Sequence, residues 1–252
     1  MQRILDVWEG SLDIQEDVIY AGGIAGLIIR LNHITGGNHL DTNFTAQWEQ
    51  AIRFLRAPYY VFNPWNSWKN NAEWLLDNLP KSGVTRIFSD VEVLYTGYTA
   101  DVYADEVQNF INYVLTYYPL TVIYTGGWFL SYLSHWPANV PYWWARYPFV
   151  FYPDQKEVWT YQKLESETER YGYYPDPRKQ CPSTVDLWQC SGDRIILPGC
   201  QNRPVDISLF NGTLEQLEAW WNAKLPNPPL TDKQKLDILW REASLQGWNL
   251  NP

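Results

Sequence analysis

The sequence contains few of the residues from which metal centres and disulfide frameworks are built. Among 252 residues there are only 3 cysteines and 3 histidines. Cys181, Cys190 and Cys200 lie in one short stretch without a C-x-x-C pair or a nearby histidine, which disfavours a zinc site. We expect free thiols, with a single disulfide as the alternative. We expect neither a metal nor another cofactor, because the histidines also form no paired ligand motif: His33, His39 and His135.

Positive charge is scarce as well. The chain has 19 Lys and Arg against 28 Asp and Glu, which gives a net charge of -9 at pH 7 and a pI near 4.8. Phosphate binding depends on clustered basic residues, and the sequence has no basic run. We therefore do not expect a nucleic acid as a partner, while the oligomeric state stays open.

Long apolar runs are absent too. No segment approaches the roughly 20 consecutive apolar residues that a membrane-spanning helix needs, so we expect no membrane insertion. The opening residues, MQRILDVWEG, contain neither the apolar centre of a secretory signal nor a small-residue cleavage site. These features predict a protein without a secretory signal peptide.

Aromatic residues, in contrast, are abundant: the chain has 15 Trp and 18 Tyr, and aromatic residues make up 17% of it. Many of them lie in turn-like segments rather than in the periodic patterns of a core. Flat rings in such places are typical of surfaces that stack against sugar rings. The alternative is that Trp and Tyr fill a large core with their polar atoms in contact with water.

Short apolar strands alternate with amphipathic helices along most of the chain. We predict strands at residues 4–8, 25–31, 59–62, 85–91, 121–125, 142–145, 185–189 and 205–208. We predict helices at residues 14–21, 43–56, 67–79 and 100–118. Eight units of this kind predict parallel strands that close into a single (β/α)8-like barrel, an α/β fold.

The later units of this barrel are irregular. Residues 147–184 contain several prolines and charges with weak periodicity, and we predict that they form a long loop over one end of the barrel. We predict that the barrel domain covers residues 1–225, and that a proline-rich link and a C-terminal helix follow at residues 226–252. This short helical tail either packs on the outside of the barrel or binds a partner.

The stretch IFSDVEVLY ends a buried strand with two acids. Side chains alternate along a strand, so Asp90 and Glu92 point to the same face, with Phe88 behind them. Like charges repel, and such a pair is commonly tolerated where chemistry needs it. Asp6 and Asp206 lie in the predicted first and eighth strands, which are neighbours in a closed barrel. All four acids are therefore expected at the carboxyl-terminal end of the strands, where such barrels place their active sites.

A cluster of carboxylates among aromatic residues, without a His or Cys partner, indicates cleavage of a glycosidic bond or a divalent metal site. Glycoside hydrolysis needs one protonated carboxyl group to assist the leaving oxygen and a second group to stabilise or attack the sugar. Repulsion and burial raise one pKa of such a pair. Glu92 is the better proton donor, because its longer side chain reaches further from the strand end. Taken singly, each aspartate has a simpler interpretation as a turn or helix-cap residue.

Six segments resemble, in this order, glycoside hydrolase family 25, the Chalaropsis-type lysozymes: LDVWEG, IFSDVEV, VIYTGGWF, YWWARY, VDLWQCSG and VDISLFNGT. The resemblance implies a peptidoglycan hydrolase on a barrel of β/α units. Such an N-acetylmuramidase cleaves the β-1,4 bond between N-acetylmuramic acid and N-acetylglucosamine and thereby lyses bacterial cell walls. A member without a signal peptide is typical of a phage or prophage endolysin, made in the cytoplasm of its host and released to the wall by a separate step, or of a lysozyme carried on a virus particle.

The resemblance also implies the site residues. Glu92 is implied as the general acid and Asp90 as its companion, while Asp6 and Asp206 complete an acidic groove. Four aromatic residues are implied to line the substrate site or to stack against the sugars: Tyr60, Tyr124, Trp144 and Trp188. The chain departs from the family pattern in a short first loop after Asp6 and in the length of residues 147–184.

Two other functions are compatible with these residues. One is a carbohydrate-binding barrel that holds peptidoglycan without turnover, although binding alone does not require two crowded carboxylates. The other is a chitinase-like hydrolase, but the longer D-x-x-D-x-D-x-E motif of such enzymes is absent, because the four residues before Asp90 are Arg86, Ile87, Phe88 and Ser89.

Overall fold

The computed structural model describes residues 1–11, 14–201 and 203–223. Eight of its strands form a closed barrel: β1 (Gln2–Val7), β2 (Ile24–Arg30), β3 (Leu55–Val61), β4 (Ile87–Asp90), β5 (Thr121–Gly126), β6 (Tyr142–Ala145), β7 (Val185–Ile196) and β8 (Pro204–Phe210). The single (β/α)8-like barrel expected from the sequence is confirmed. The predicted boundary after residue 225 and the C-terminal helix lie outside the described residues.

The described part of the chain contains six α-helices: α1 (Glu16–Ala21), α2 (Phe44–Gln50), α3 (Trp68–Asn78), α4 (Ala100–Tyr117), α5 (Tyr161–Tyr171) and α6 (Leu214–Trp221). None of these helices combines the length and the apolar character needed to cross a bilayer. The smaller elements are two 3₁₀ turns and three short strands: Ala51–Arg53, Leu130–Tyr132, Asn32–His33, His39–Leu40 and Glu157–Val158.

The direction of the last barrel strand differs from the prediction. The strands follow one another around the barrel in chain order, and each neighbouring pair from β1 to β7 is parallel. In contrast, β8 runs antiparallel to both β7 and β1. The prediction of eight parallel strands is wrong here, because only residues 197–203 separate β7 from β8, and a parallel pair needs a longer crossover.

Alternation of side chains divides each strand between the barrel interior and the helical layer. Phe88, Val122 and Trp143 belong to an inner apolar cluster at the amino-terminal end of the barrel. Trp221 of α6 closes this end, with its ring centroid 5.8 Å from that of Phe88. Inward-facing positions at the other end of the strands carry polar side chains, so the polar site lies above an apolar floor.

The segment at residues 147–184 is not one long loop. It contains α5 and the short strand Glu157–Val158, which pairs with β7. The helix begins with a cap, because the Thr160 hydroxyl accepts a hydrogen bond from the backbone N–H of Lys163 at 3.1 Å. Part of this segment is thereby attached to the barrel beside the end that carries the acids.

Two smaller expectations have clear outcomes. The helix predicted at residues 43–56 is shorter: α2 ends at Gln50, the 3₁₀ turn Ala51–Arg53 follows, and β3 begins at Leu55. The expectation of free thiols is met, since Cys181, Cys190 and Cys200 are all unpaired, and the last two are buried.

Candidate active site

Four acids meet at the carboxyl-terminal end of the parallel strands. Asp6 lies near the end of β1, Asp90 is the last residue of β4, and Glu92 follows it by two residues. Asp206 reaches the same end from the opposite direction, because it lies near the start of the antiparallel β8 and pairs with Asp6. Tyr59 packs against the inner cluster. Burial raises the pKa of its phenol, and the charges of Asp6, Asp90 and Asp206 all raise it further. The structure therefore brings together the four acids predicted from the sequence.

Asp90 and Glu92 form the first acidic pair. Burial raises the pKa of Glu92 to about 7, and a hydrogen bond from the side chain of Trp128 opposes this rise. Burial, followed by the charge of Glu92, raises the pKa of Asp90 well above its ordinary range. The Oδ1 atom of Asp90 is buried without a hydrogen-bond partner among the described residues. The pair thus holds a proton near neutral pH, which a general acid requires.

Asp6 and Asp206 form the second pair, because they lie opposite each other on the paired strands β1 and β8. Burial and the charge of Asp206 raise the pKa of Asp6 well above its ordinary range, and burial raises the pKa of Asp206 to about 7. Gln189 donates to Oδ2 of Asp6 at 2.8 Å, and the backbone N–H of Asp193 donates to Asp206. Both acids are therefore held in place by neighbours.

An arginine is fixed beside the first pair. Arg30, the last residue of β2, donates from Nε to Asp41 at 2.8 Å, and its Nη2 lies 3.0 Å from the carboxylate of Glu9. Its charge lowers the pKa of Asp90, against the larger effect of burial. Asp41 also accepts hydrogen bonds from the backbone N–H groups of Glu9 and Asn43, at 3.1 and 3.0 Å. These contacts join the short first loop to the loop after β2 and hold the guanidinium near Asp90.

Gln189 connects the acids to the aromatic wall of the site. Its side-chain oxygen accepts hydrogen bonds from the hydroxyls of Tyr124 at 2.8 Å and Tyr147 at 2.5 Å, while its amide donates to Asp6. The position of Tyr124 agrees with the prediction that it lines the site. Gln189, Tyr147 and Trp128 were not predicted, although each lies in a segment on which the family resemblance rests.

Three aromatic residues that the sequence places in the substrate site lie elsewhere. Trp144 and Trp188 are only 1% and 0% exposed, and they pack in the layer between the strands and the helices. Tyr60 is also buried and stacks on Phe110 of α4. Successive side chains of a strand point to opposite faces, and each of the three residues lies one position away from an inward-facing residue. On β3 the inward-facing residue is Tyr59. None of the three offers a ring face to a sugar.

An open cavity of about 520 Å³, here called the acidic cavity, lies at the ends of β4 to β8. Its wall carries acidic, basic and aromatic side chains: Glu92, Asp193, Asp206, Lys156, Arg194, Tyr124, Trp128, Tyr147 and Tyr152. Arg194 is oriented by Tyr152, because its guanidinium donates to the hydroxyl at 3.1 Å and lies 4.8 Å from the ring centroid. The volume is in the range of small-molecule binding sites, so the cavity has room for a sugar unit.

The chemistry follows from this arrangement. Glu92 holds a proton near neutral pH and faces a cavity that accommodates a sugar, with a second acid and an arginine beside it. Glycoside hydrolysis requires a protonated carboxyl group and a second group that stabilises the positive charge of the sugar. The fold and the site therefore define a glycoside hydrolase built on a (β/α)8-like barrel.

The chain belongs to the glycosyl hydrolases family 25, whose family model matches residues 5–168. The enzyme class expected from the sequence is thereby confirmed: a glycoside hydrolase of the lysozyme type, which degrades peptidoglycan. No curated protein sequence matches the chain.

Solved structures of this family share the fold at low sequence identity. A family 25 glycosyl hydrolase from Bacillus anthracis is 16% identical with a TM-score of 0.61, and the match covers 86% of this chain and 92% of that one. The bacterial lysozyme from Streptomyces coelicolor is 20% identical with a TM-score of 0.61, covering 88% and 97%. A family GH25 lysozyme from Aspergillus fumigatus is 16% identical with a TM-score of 0.65, covering 88% and 99%.

Proposed function

We propose that this protein is an N-acetylmuramidase in which Glu92 protonates the glycosidic oxygen between N-acetylmuramic acid and N-acetylglucosamine. The observation that carries the proposal is the position of Glu92. Its carboxyl group has a pKa of about 7 and lines an open cavity with an aromatic wall. When the pKa of a proton donor lies near the working pH, a large fraction of the enzyme molecules carry the proton, and the donor still releases it readily.

In the proposed reaction Glu92 gives up one proton and later regains one. Its proton passes to the leaving oxygen as the bond between that oxygen and the anomeric carbon breaks. Asp90 stabilises the positive charge that develops at the sugar, and Arg30 already favours its ionised form. Water then adds to the anomeric carbon, and its proton restores the carboxyl group of Glu92.

The remaining groups position the substrate in this proposal. Asp6 and Asp206 complete the acidic groove, and the rise in both of their pKa values, caused first by burial, reduces the negative charge beside Glu92 near neutral pH. Tyr124 lines the cavity with its hydroxyl held by Gln189, so it is oriented before a glycan binds. The same proposal places the enzyme at the bacterial cell wall, with the glycan strands of peptidoglycan as its partner.

The proposal is tested by comparing cutting with binding on the same material. Purified bacterial walls and chitin are incubated with the protein, and turbidity, soluble reducing ends and bound protein are measured. We expect clearing of walls with release of reducing ends, and little release from chitin. Binding to walls without clearing would instead support a barrel without turnover, and release from chitin at an equal rate would support a chitinase-like enzyme.

A further inference from the structure

A cavity at the amino-terminal end of the barrel, here called the basal cavity, lies opposite the end that carries the four acids. Its volume is about 410 Å³. The wall comes from the first residues of β1, β2 and β3, from the segments that lead into β2 and β3, and from α6. It includes Tyr20, Ile24, Arg53, Phe54, Leu214 and Glu218. Because barrels of this kind place their active sites at the other end of the strands, the basal cavity lies outside the proposed substrate site.

Exposed apolar side chains surround the basal cavity. Tyr20 is 50% exposed and Leu214 is 46% exposed, and Ile52, the neighbour of Arg53 in the chain, is 72% exposed. The rings of Tyr20 and Phe54 meet edge to face with centroids 5.7 Å apart, and the guanidinium of Arg53 lies 4.7 Å from the centroid of Tyr20. Single exposed apolar residues are common, but a group of them around a concave surface indicates that another segment covers it.

Helix α6 presents an uncovered face to this cavity. Leu214 and Glu218 are four residues apart, so they lie on the same side of the helix, and both are exposed. The buried side of the helix carries Leu217 and Trp221, which pack into the inner apolar cluster. The carboxylate of Glu218 forms no ion pair with any residue that the structure describes. The uncovered face therefore offers an apolar group and a negative charge.

The residues that follow α6 in the sequence have the matching pattern. After the proline-rich link, Thr231 is a suitable helix cap, and apolar residues recur at the spacing of one helical face: Leu236, Leu239, Trp240 and Ala243. Lys233 and Lys235 fall on the two edges of this apolar face. An apolar face flanked by positive charge is complementary to Leu214 and Glu218.

The link is long enough to return this segment to the cavity of the same molecule. Leu214 and Ala223 are separated by nine residues, which corresponds to about 14 Å along a helix. Residues 224–230 contain three prolines, and seven residues in a polyproline conformation span about 22 Å. A segment that begins at Thr231 can therefore turn back along α6.

We propose that residues 231–246 dock into the basal cavity of their own molecule, with Leu239 and Trp240 against Tyr20 and Leu214. The docked segment covers the exposed apolar rim, and its lysines approach the carboxylate of Glu218. It braces the barrel from the end opposite the acids, so it contributes to stability without touching a substrate. The proposal is independent of the reaction that the enzyme catalyses.

The test combines one substitution on each side of the contact in the full chain. Leu214→Asp places an acid in the first turn of α6, where negative charge favours the helix, so the helix itself is not weakened. Trp240→Asp disrupts the apolar face of the segment. We expect each to lower the melting temperature by about 5 °C, the scale for loss of buried apolar contacts in a chain of this size. The double variant should melt no lower than the weaker single variant, because either change alone releases the segment.

Val102→Asp is the matched control for Leu214→Asp. Val102 also lies in the first turn of a helix, α4, and is 43% exposed, but it lies outside the basal cavity. Its melting temperature should equal that of the wild type. Cleavage of soluble glycan fragments should be unchanged in all these variants, since none alters a proposed site residue.

Hydrogen exchange followed by mass spectrometry measures the docked segment directly. The amides of residues 231–246 should exchange slowly in the wild type and rapidly in Leu214→Asp. Rapid exchange in the wild type, unchanged melting temperatures or additive losses in the double variant would overturn the proposal. A dimer at micromolar concentration that dissociates in Trp240→Asp would overturn it too, because the cavity would then hold the segment of a second copy.

Discussion

The substitution Glu92→Gln separates the proton of this residue from its shape. Gln keeps the size of the side chain and can still accept a hydrogen bond from Trp128, but it has no acidic proton to donate. Loss of general acid catalysis costs about 100-fold or more in turnover. We therefore expect wall cleavage to fall by at least this factor, with glycan binding little changed.

The same substitution has an effect on stability that the structure allows us to estimate. The pKa of Glu92 rises from an ordinary value of 4.5 to about 7, because of burial. At about 1.4 kcal/mol per pKa unit, this rise corresponds to a change of about 3 kcal/mol in the free energy of unfolding. A folded-state pKa above the unfolded value means that the folded protein holds the proton longer. Wild-type stability therefore declines between about pH 4.5 and pH 7, because the unfolded chain releases this proton in that range while the folded protein still holds it.

Glu92→Gln escapes this decline, because its side chain stays neutral at every pH. Its free energy of unfolding should equal that of the wild type near pH 4 and exceed it by up to about 3 kcal/mol at pH 8. Denaturant unfolding at both pH values, with wall clearing measured on the same samples, provides the assay. Glu169→Gln, an exposed position on α5, is the matched control. Near-normal clearing by Glu92→Gln, or a stability difference that does not grow with pH, would refute the reasoning.

Three further changes test neighbouring parts of the site. Trp128→Phe removes the hydrogen bond that lowers the pKa of Glu92, so the basic limb of the kcat/KM profile should move to higher pH by about half a unit to one unit. Gln189→Leu leaves Asp6 and two tyrosine hydroxyls without their partner, and the free energy of unfolding should fall by about 2 kcal/mol in a denaturant titration. A chain ending at Leu225 keeps every proposed site residue, so it should still cleave soluble glycan fragments, as reducing-end release would show. A basic limb at lower pH in Trp128→Phe would contradict the first expectation, and an unchanged free energy of unfolding in Gln189→Leu would contradict the second. A short chain that folds but is inactive would contradict the third.

The alternation of apolar strands and helices was enough to predict the barrel, and the strand-end position of Asp90 and Glu92 was enough to predict the first acidic pair. Hydrophobic periodicity predicts both the strands and the positions at which they end. The antiparallel direction of β8 was not predicted. It follows from the short connection after β7, and that connection is short because β7 extends to Ile196, beyond its predicted end at residue 189. Asp206 still reaches the site, since a reversed strand places its beginning where a parallel strand places its end.

The aromatic residues show where sequence reasoning fails. Tyr60, Trp144 and Trp188 were assigned to the substrate site, yet each lies one position out of phase with the interior, and a shift of one residue reverses the face of a strand. Gln189 was missed because its role depends on three partners that are distant in the chain. Only the closed barrel brings the amide between Asp6, Tyr124 and Tyr147.

Mass spectrometry of peptidoglycan fragments after digestion and borohydride reduction identifies the bond that this enzyme cuts. If Glu92 protonates the oxygen that links N-acetylmuramic acid to N-acetylglucosamine, the new reduced ends will be N-acetylmuramitol, and Glu92→Gln will produce almost none. New ends of N-acetylglucosaminitol, or peptides released without any new sugar ends, would contradict the muramidase function.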